Sequence, residues 1–258
     1  MRHVGIDLAW SDHNPTGVCA LDDRGRVVDE RVLDGDEEIV DWLGMLPDGP
    51  AVVAVDAPLR VPNETGRRTA EAEVQAAYGR RKAGAHPSNR SLFLDRYGRV
   101  RGEDLALRLA SLGFEDPWLG GERVLLEVYP HPALIEAFGL EERLLYKAKP
   151  GVGPAGRRTG LRNLARLIDA LALADPPLIG PTVEVPEDAR GRELKRIEDS
   201  LDARICAWIA AVWTRHGRER VQLHGSSAGG HIAVPTGRFV AADVHLDPVE
   251  RRSGDPLG

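Results

Sequence analysis

Two apolar runs in this chain each carry an aspartate where a buried strand has least room for one. Val4–Trp10 reads VGIDLAW with Asp7 at its centre, and Ala51–Leu59 reads AVVAVDAPL with Asp56. Continuous apolar runs of this length fit strands covered on both faces. A carboxylate without a partner is costly to bury, so the fold must give both aspartates a common partner.

The order of elements shows how they could share one. Arg2–Trp10, Thr16–Leu21 and Arg26–Leu33 read as strands, the last two joined by the turn Asp22-Asp23-Arg24-Gly25. Asp36–Leu46 places Ile39, Val40, Leu43 and Leu46 at helical spacing, Pro47–Pro50 ends it, and Ala51–Ala57 is a strand again. A meander, a helical crossover and a strand parallel to the first would put Asp7 and Asp56 side by side. Residues 59–121 are thin in apolar content and read as an insertion or cap, with helices at Thr65–Tyr78 and Glu103–Leu112 around a loop at Ala83–Leu94. Arg123–Val128 is a buried strand, Ala133–Phe138 starts a helix, Lys149–Gly160 is a Gly/Pro loop, and Leu161–Leu173 is amphipathic. Arg192–Trp213 is the longest helix and Val221–Pro235 a short extended segment. The expectation is one α/β domain over residues 1–247 and a disordered tail over 248–258.

Cys19 and Cys206 are the only cysteines of 258 residues, each in an apolar context, which argues against a disulfide scaffold or a thiolate zinc site. With no apolar segment of signal-peptide or membrane-spanning character, a cytoplasmic protein without a membrane partner is expected. The formal net charge of −6 is unevenly spread. Arg60–Arg101 holds ten Lys/Arg against four Asp/Glu, and Lys147–Arg166 holds six basic residues and no acidic one. Such stretches are solvated faces or flaps toward a polyanion. On the second reading Arg67, Arg68, Arg80, Arg81 and Lys82 grip phosphate, with nucleic acid as the partner.

The long helix carries a second acidic pair. Asp199 and Asp202 are spaced i, i+3 and share a face with Cys206, Ile209 and Trp213, so they continue a buried stripe. Glu127 sits in the apolar strand RVLLEV. Carboxylates gathered in a poorly solvated site repel one another unless protons, cationic side chains or divalent ions intervene. Hard oxygen donors without a thiolate or histidine cluster point to Mg2+ or Mn2+, and two such ions clamp a phosphodiester displacement. Asp7, Asp56, Asp199 and Asp202 are the expected ligands. Glu127 is either an extra, fifth ligand of the catalytic set or an acid bonded to backbone at the Pro130-His131-Pro132 bend. Lys195, one turn before Asp199, is a salt-bridge partner or a phosphate contact.

Strand-Asp7, hairpin, helix, strand-Asp56 and a late helix with Asp199-x-x-Asp202-Ala203 resemble the RNase H-like (retroviral-integrase-like) nucleases. The D-x-x-D-A pair resembles that of the Holliday-junction resolvases. GIDLAW, AVDAPL, LLEVYPHPAL, ED-x-x-DA-x-x-CA and GGHIAVP, in that order from Val4 to Pro235, are similar to the family called domain of unknown function 429. The resemblance implies an RNase H-like mixed β-sheet with helices on both faces, a basic helical insertion, and a two-metal nuclease site. Asp56 stands where the resolvases place a glutamate, and Glu127 has no counterpart in the simplest RNase H sites. The expected function is metal-dependent hydrolysis of nucleic-acid phosphodiesters. The alternatives are a non-catalytic binding protein on the same fold, or a phosphotransferase of the actin and sugar-kinase class. His131 reads as a structural histidine or a general base; His224 and His231 flank Gly225–Gly230 (GSSAGG), which lacks the Gly-Lys-Ser/Thr of a phosphate loop.

Overall fold

The computed structural model describes residues 1–250. The final eight residues of the expected tail 248–258 lie outside the described residues. Five strands form a mixed sheet in the order β3-β2-β1-β4-β5: β1 Arg2–Asp7, β2 Thr16–Leu21, β3 Val27–Leu33, β4 Pro50–Val55 and β5 Val124–Glu127. The antiparallel meander pairs Asp7 with Gly17, while β4 runs parallel to β1 and β5 parallel to β4. The crossover through α1 (Asp36–Met45) therefore brings β4 beside β1, as the order of apolar segments implies.

Side chains alternate between the two faces with the period of a strand. Val4, Ile6, Val18, Ala20, Val53 and Val55 pack under α1 and under α4 (Arg101–Ser111), against Ile39, Trp42, Leu105 and Leu109. On the opposite face Cys19, Leu21, Val52, Ala54 and Leu126 meet α7 (Gly191–His216), with α5 (Pro130–Phe138) and α6 (Pro154–Ala170) behind it. Helices thus cover both faces. Both cysteines are free and buried, and no helix among the described residues is long and apolar enough to cross a membrane.

Several segments differ from the sequence expectation. Segment 59–121 does not stand apart as a cap. Its α4 closes one face of the sheet, and α2 (Thr69–Tyr78) packs on a separate hairpin of β6 (Val221–Ser226) and β7 (Gly230–Pro235). The loop expected at Ala83–Leu94 gives way to α3 (Arg90–Tyr97), whose first turn is capped by the Asn89 side chain accepting from the Leu92 amide at 2.9 Å. The Gly/Pro loop expected to Gly160 ends earlier, because Pro154 opens α6 at a position where its missing N–H costs nothing. GSSAGG is the turn of the β6–β7 hairpin.

Helix α7 lies close on the sheet because two glycines permit it. A Cβ at Gly5 would come within 2.1 Å of the Ala203 carbonyl oxygen and the Ala207 nitrogen. At Gly17 it would come within 2.1 Å of the Asp199 carbonyl oxygen. Backbone contact of β1 and β2 with α7 sets the height at which the acidic end of α7 stands over Asp7.

Candidate functional site

Asp7 is the last residue of β1 and Asp56 follows the last residue of β4, its amide donating to the Ile6 carbonyl at 2.8 Å. Parallel pairing puts both at the carboxyl end of the sheet, where ligands of open α/β sheets bind. Asp199 and Asp202, in the first half of α7, come down on them from one face. The structure thus brings all four aspartates together. Asp56 and Asp202 each act electrostatically on Asp7, Asp202 acts on Asp56, and Asp7 is close enough to Asp199 to influence it.

Two lysines hold the cluster. Lys147 Nζ lies 2.9 Å from Asp202 Oδ2 and 3.9 Å from Asp56 Oδ2. Lys195 pairs with Asp199 and, at 3.1 Å, with Glu198, both on its own helix. The Tyr146 hydroxyl donates to Asp202 Oδ1 at 2.7 Å. Burial remains the dominant influence on all four acids. It raises Asp7 well above the usual carboxylate range against the pull of Lys147, and it raises Asp56 to about 7. Asp199 and Asp202 are raised by the same burial, opposed chiefly by Lys195 and Lys147 respectively. Burial thus favours the protonated form of Asp7 over its charged form.

Among the described residues no three His, Cys, Asp or Glu side chains surround one point as ion ligands do; ammonium groups bridge the carboxylates instead. The donor set nevertheless suits a hard divalent cation, being all carboxylate oxygen without thiolate or imidazole. Asp199 Oδ2 and Asp202 Oδ2 are buried without a hydrogen-bond donor, since the close Lys147 contact to Asp202 lacks hydrogen-bond geometry. Such orphaned oxygens are costly, and an ion would satisfy them.

The cluster opens into a cleft of about 340 Å3, lined by Asp7, Asp56 and Asp199 and by the cations Arg143, Lys147, Lys149 and Lys195. Its wall includes His131, whose imidazole is kept neutral by burial and by Lys147, with its Nδ1 unpartnered. Lys147 and Lys149 open the basic stretch Lys147–Arg166, but Arg143 and Tyr146 carry no sequence signal of a site, and only the fold turns these side chains inward.

Glu127 lies nearby without being free. Arg68 Nη1 donates to its Oε2 at 2.9 Å, Nη2 donates to Oε1, and the Leu59 amide donates to Oε2 at 2.9 Å. Its amide in turn donates to Nε2 of His231, a histidine held neutral, with a pKa of about 3, by burial. Of the roles open to Glu127, the structure gives it that of a backbone- and arginine-bonded acid. Arg68, expected as a phosphate grip, is buried between Glu127 and Glu71, which accepts from its Nε at 2.6 Å. Arg81 pairs with Glu136 and Lys82 with Glu142, while Arg67 and Arg80 are exposed and away from the cleft lining. Much of the basic excess of Arg60–Arg101 and Lys147–Arg166 is spent the same way, as in Arg99 and Arg101 on Asp36, Arg157 on Glu198 and Arg166 on Asp247. Local charge counting misses pairing between distant segments. Of the expected phosphate contacts, only Lys195 lines the cleft. His224, the other flank of the hairpin turn, is buried with Nδ1 3.7 Å from Glu73.

Fold and site together define an α/β protein with a mixed five-stranded sheet, helices on both faces, and an aspartate cluster at the carboxyl ends of its two central parallel strands. The family follows from the sequence over nearly the same span. The chain belongs to the family described as protein of unknown function, DUF429, whose model matches residues 5–225. No curated protein and no solved structure matches it significantly.

Proposed function

We propose that this protein is an RNase H-like, Mg2+- or Mn2+-dependent hydrolase of nucleic-acid phosphodiester bonds. The fold half of the reading is supported by the strand order β3-β2-β1-β4-β5, with β1 antiparallel to β2 and parallel to β4, and α7 laid across them. One observation carries the functional half: four aspartates from two strand ends and one helix cluster together, and three of them, Asp7, Asp56 and Asp199, line an open cleft that Arg143, Lys147, Lys149 and Lys195 line as well.

Asp7, Asp56, Asp199 and Asp202 would hold the ions, which when bound supply an activated water and charge neutralisation at the scissile phosphate. The chain's own groups do the rest. Lys147 and Lys195, released from the carboxylates, face substrate phosphate across the cleft, with Arg143 and Lys149 as further charge at its rim. Burial raises the carboxyls of the cluster and an ion would bind their charged forms, so divalent binding should strengthen as pH rises.

A second reading, a metal-free binding protein, is favoured by the lysine bridges, which already neutralise much of the cluster. Calorimetric titration with Mn2+ separates the two. Wild type is expected to bind Mn2+ and, with Mg2+ or Mn2+, to cleave labelled single- or double-stranded DNA or RNA. Asp7→Asn should lose at least tenfold in Mn2+ affinity and all cleavage, while melting in EDTA at an unchanged or higher temperature, because removing one charge from a crowded carboxylate cluster relieves repulsion. Wild type that binds no divalent ion would leave the second reading in possession.

A further inference from the structure

Part of the cleft wall is aromatic, and the ion-and-phosphate reading gives it no task. Trp10, Tyr97 and Tyr129, with the exposed His86, line the same space as Asp7, Asp56 and Asp199. A recess of about 80 Å3 opens beside it, sharing Trp10, Asp56, His86 and Tyr129 and bounded further by apolar groups such as Pro58 and Ile232 and by the paired Arg68, Glu71 and Glu127. Trp10, Tyr97 and Tyr129 are each half-buried, so part of each ring remains open to a ligand.

Trp10 is also set in place before any ligand arrives. Phe93 packs against it at 5.1 Å between ring centroids and Tyr97 meets it nearly edge-on at 6.3 Å. Its backbone is tied on both sides: the buried Arg101 donates from Nη1 to the carbonyl oxygens of Ala9, at 2.8 Å, and Ser11, at 3.3 Å. Arg101 is in turn fixed by Asp36 at 2.7 Å. A buried guanidinium committed to the carbonyls flanking one half-exposed tryptophan is a positioned platform.

Open aromatic rings beside a track of cations are what proteins use to hold unpaired nucleotides. In a duplex the base faces are stacked on one another and closed to side chains, whereas an unpaired base offers both. The cleft volume stands at the lower end of the about 300–1,000 Å3 range of small-ligand sites, room for one nucleotide unit and not for a paired helix. We propose that this cleft takes an unpaired nucleotide of a single-stranded nucleic acid, its base against Trp10 and Tyr129 in the recess and its phosphate toward Lys147 and Lys195. The proposal rests on the hydrolase reading for the role of the acids, but stacking is a binding property and is measured without turnover.

The test is fluorescence anisotropy at low salt with a labelled mixed-sequence oligonucleotide, single-stranded and duplex, in DNA and RNA arms, in EDTA and again in calcium. At least one single-stranded form is expected to bind tenfold or more tighter than its duplex. Trp10→Leu keeps bulk and apolar character but removes the π face, and should weaken single-strand binding about five- to hundredfold, while Trp10→Phe retains most of it. Melting curves establish that the variants fold; should Trp10→Leu fail to, Tyr129→Leu against Tyr129→Phe replaces it. Equal affinity for single strand and duplex in both conditions, no binding of either, or equal losses in the Leu and Phe variants would overturn the proposal. Single-strand preference without cleavage in Mn2+ would remove the hydrolase reading and leave the stacking site. Cleavage of duplex without any single-strand preference would do the reverse.

Discussion

Asp56→Asn should stabilise the ion-free protein, and more so at alkaline than at acid pH. The Asp56 carboxyl titrates near 7 in the folded chain because burial disfavours its charge, against 3.8 ordinarily. Between those values the folded state holds a proton that the unfolded state has released, so stability falls as pH rises through the interval. Each unit costs about 1.4 kcal/mol, and the two units from pH 5 to pH 7 therefore sum to at most about 3 kcal/mol. The pull of Lys147, 3.9 Å away, is already contained in that value, and because the folded carboxyl is half titrated by pH 7 the sum comes to about 2 kcal/mol. Asparagine has nothing to titrate. The difference in melting temperature between variant and wild type should thus grow by about 4–8 °C from pH 5 to pH 8, at the 2–4 °C per kcal/mol of a chain this long. The assay is thermal melting in EDTA across that range, repeated with Mn2+, where wild type should recover much of the deficit because an ion favours the charged carboxylate. A variant less stable than wild type at pH 8, or more stable by the same margin at both ends, would refute the reasoning and make Asp56 an ordinary ionised partner of Lys147.

Arg68→Ala leaves Glu71 and Glu127 buried without their shared guanidinium, and should cost about 3–5 kcal/mol in urea unfolding, whereas Arg67→Ala, at an exposed position, should change unfolding by less than about 0.5 kcal/mol. Gly17→Ala forces a methyl to within 2.1 Å of the Asp199 carbonyl, so α7 must lift. A loss of about 1–3 kcal/mol should be accompanied by a fall in Mn2+ affinity, and unchanged affinity in calorimetry would mean that the cluster does not depend on that contact.

The parts of this fold that show in the sequence are those with a local signature. β1 to β4, α1 and α7 announce themselves by apolar runs and helical spacing. Asp7, Asp56, Asp199 and Asp202 stand out because each is a charge in an apolar pattern. What escapes is set by distance along the chain. Glu127 looks like a member of the cluster until Arg68, 59 residues earlier, is seen to claim it. Lys147 reads as one more charge in a basic stretch, yet it bridges Asp56 and Asp202. The aromatic wall is missed because Trp10, Tyr97 and Tyr129 come from three separate loops and helix ends with no common spacing. Helix α3 is hidden by its weakly amphipathic sequence, although Asn89 three residues before Leu92 is a cap that the chain does display.

The acids of the cleft enter it from opposite ends of the chain, two on strands within the first 56 residues and two on α7. The two pairs can repel one another only where α7 packs against β1 and β4, so their repulsion is concentrated in that one contact. Lys195 travels with that helix, one turn from Asp199 and beside Glu198, so the incoming surface arrives partly neutralised, while the remaining charge waits for Lys147 or a proton. The contact of α7 with β1 and β4 is then the part of the fold most open to acidity and to divalent ions, because the same contact completes the site.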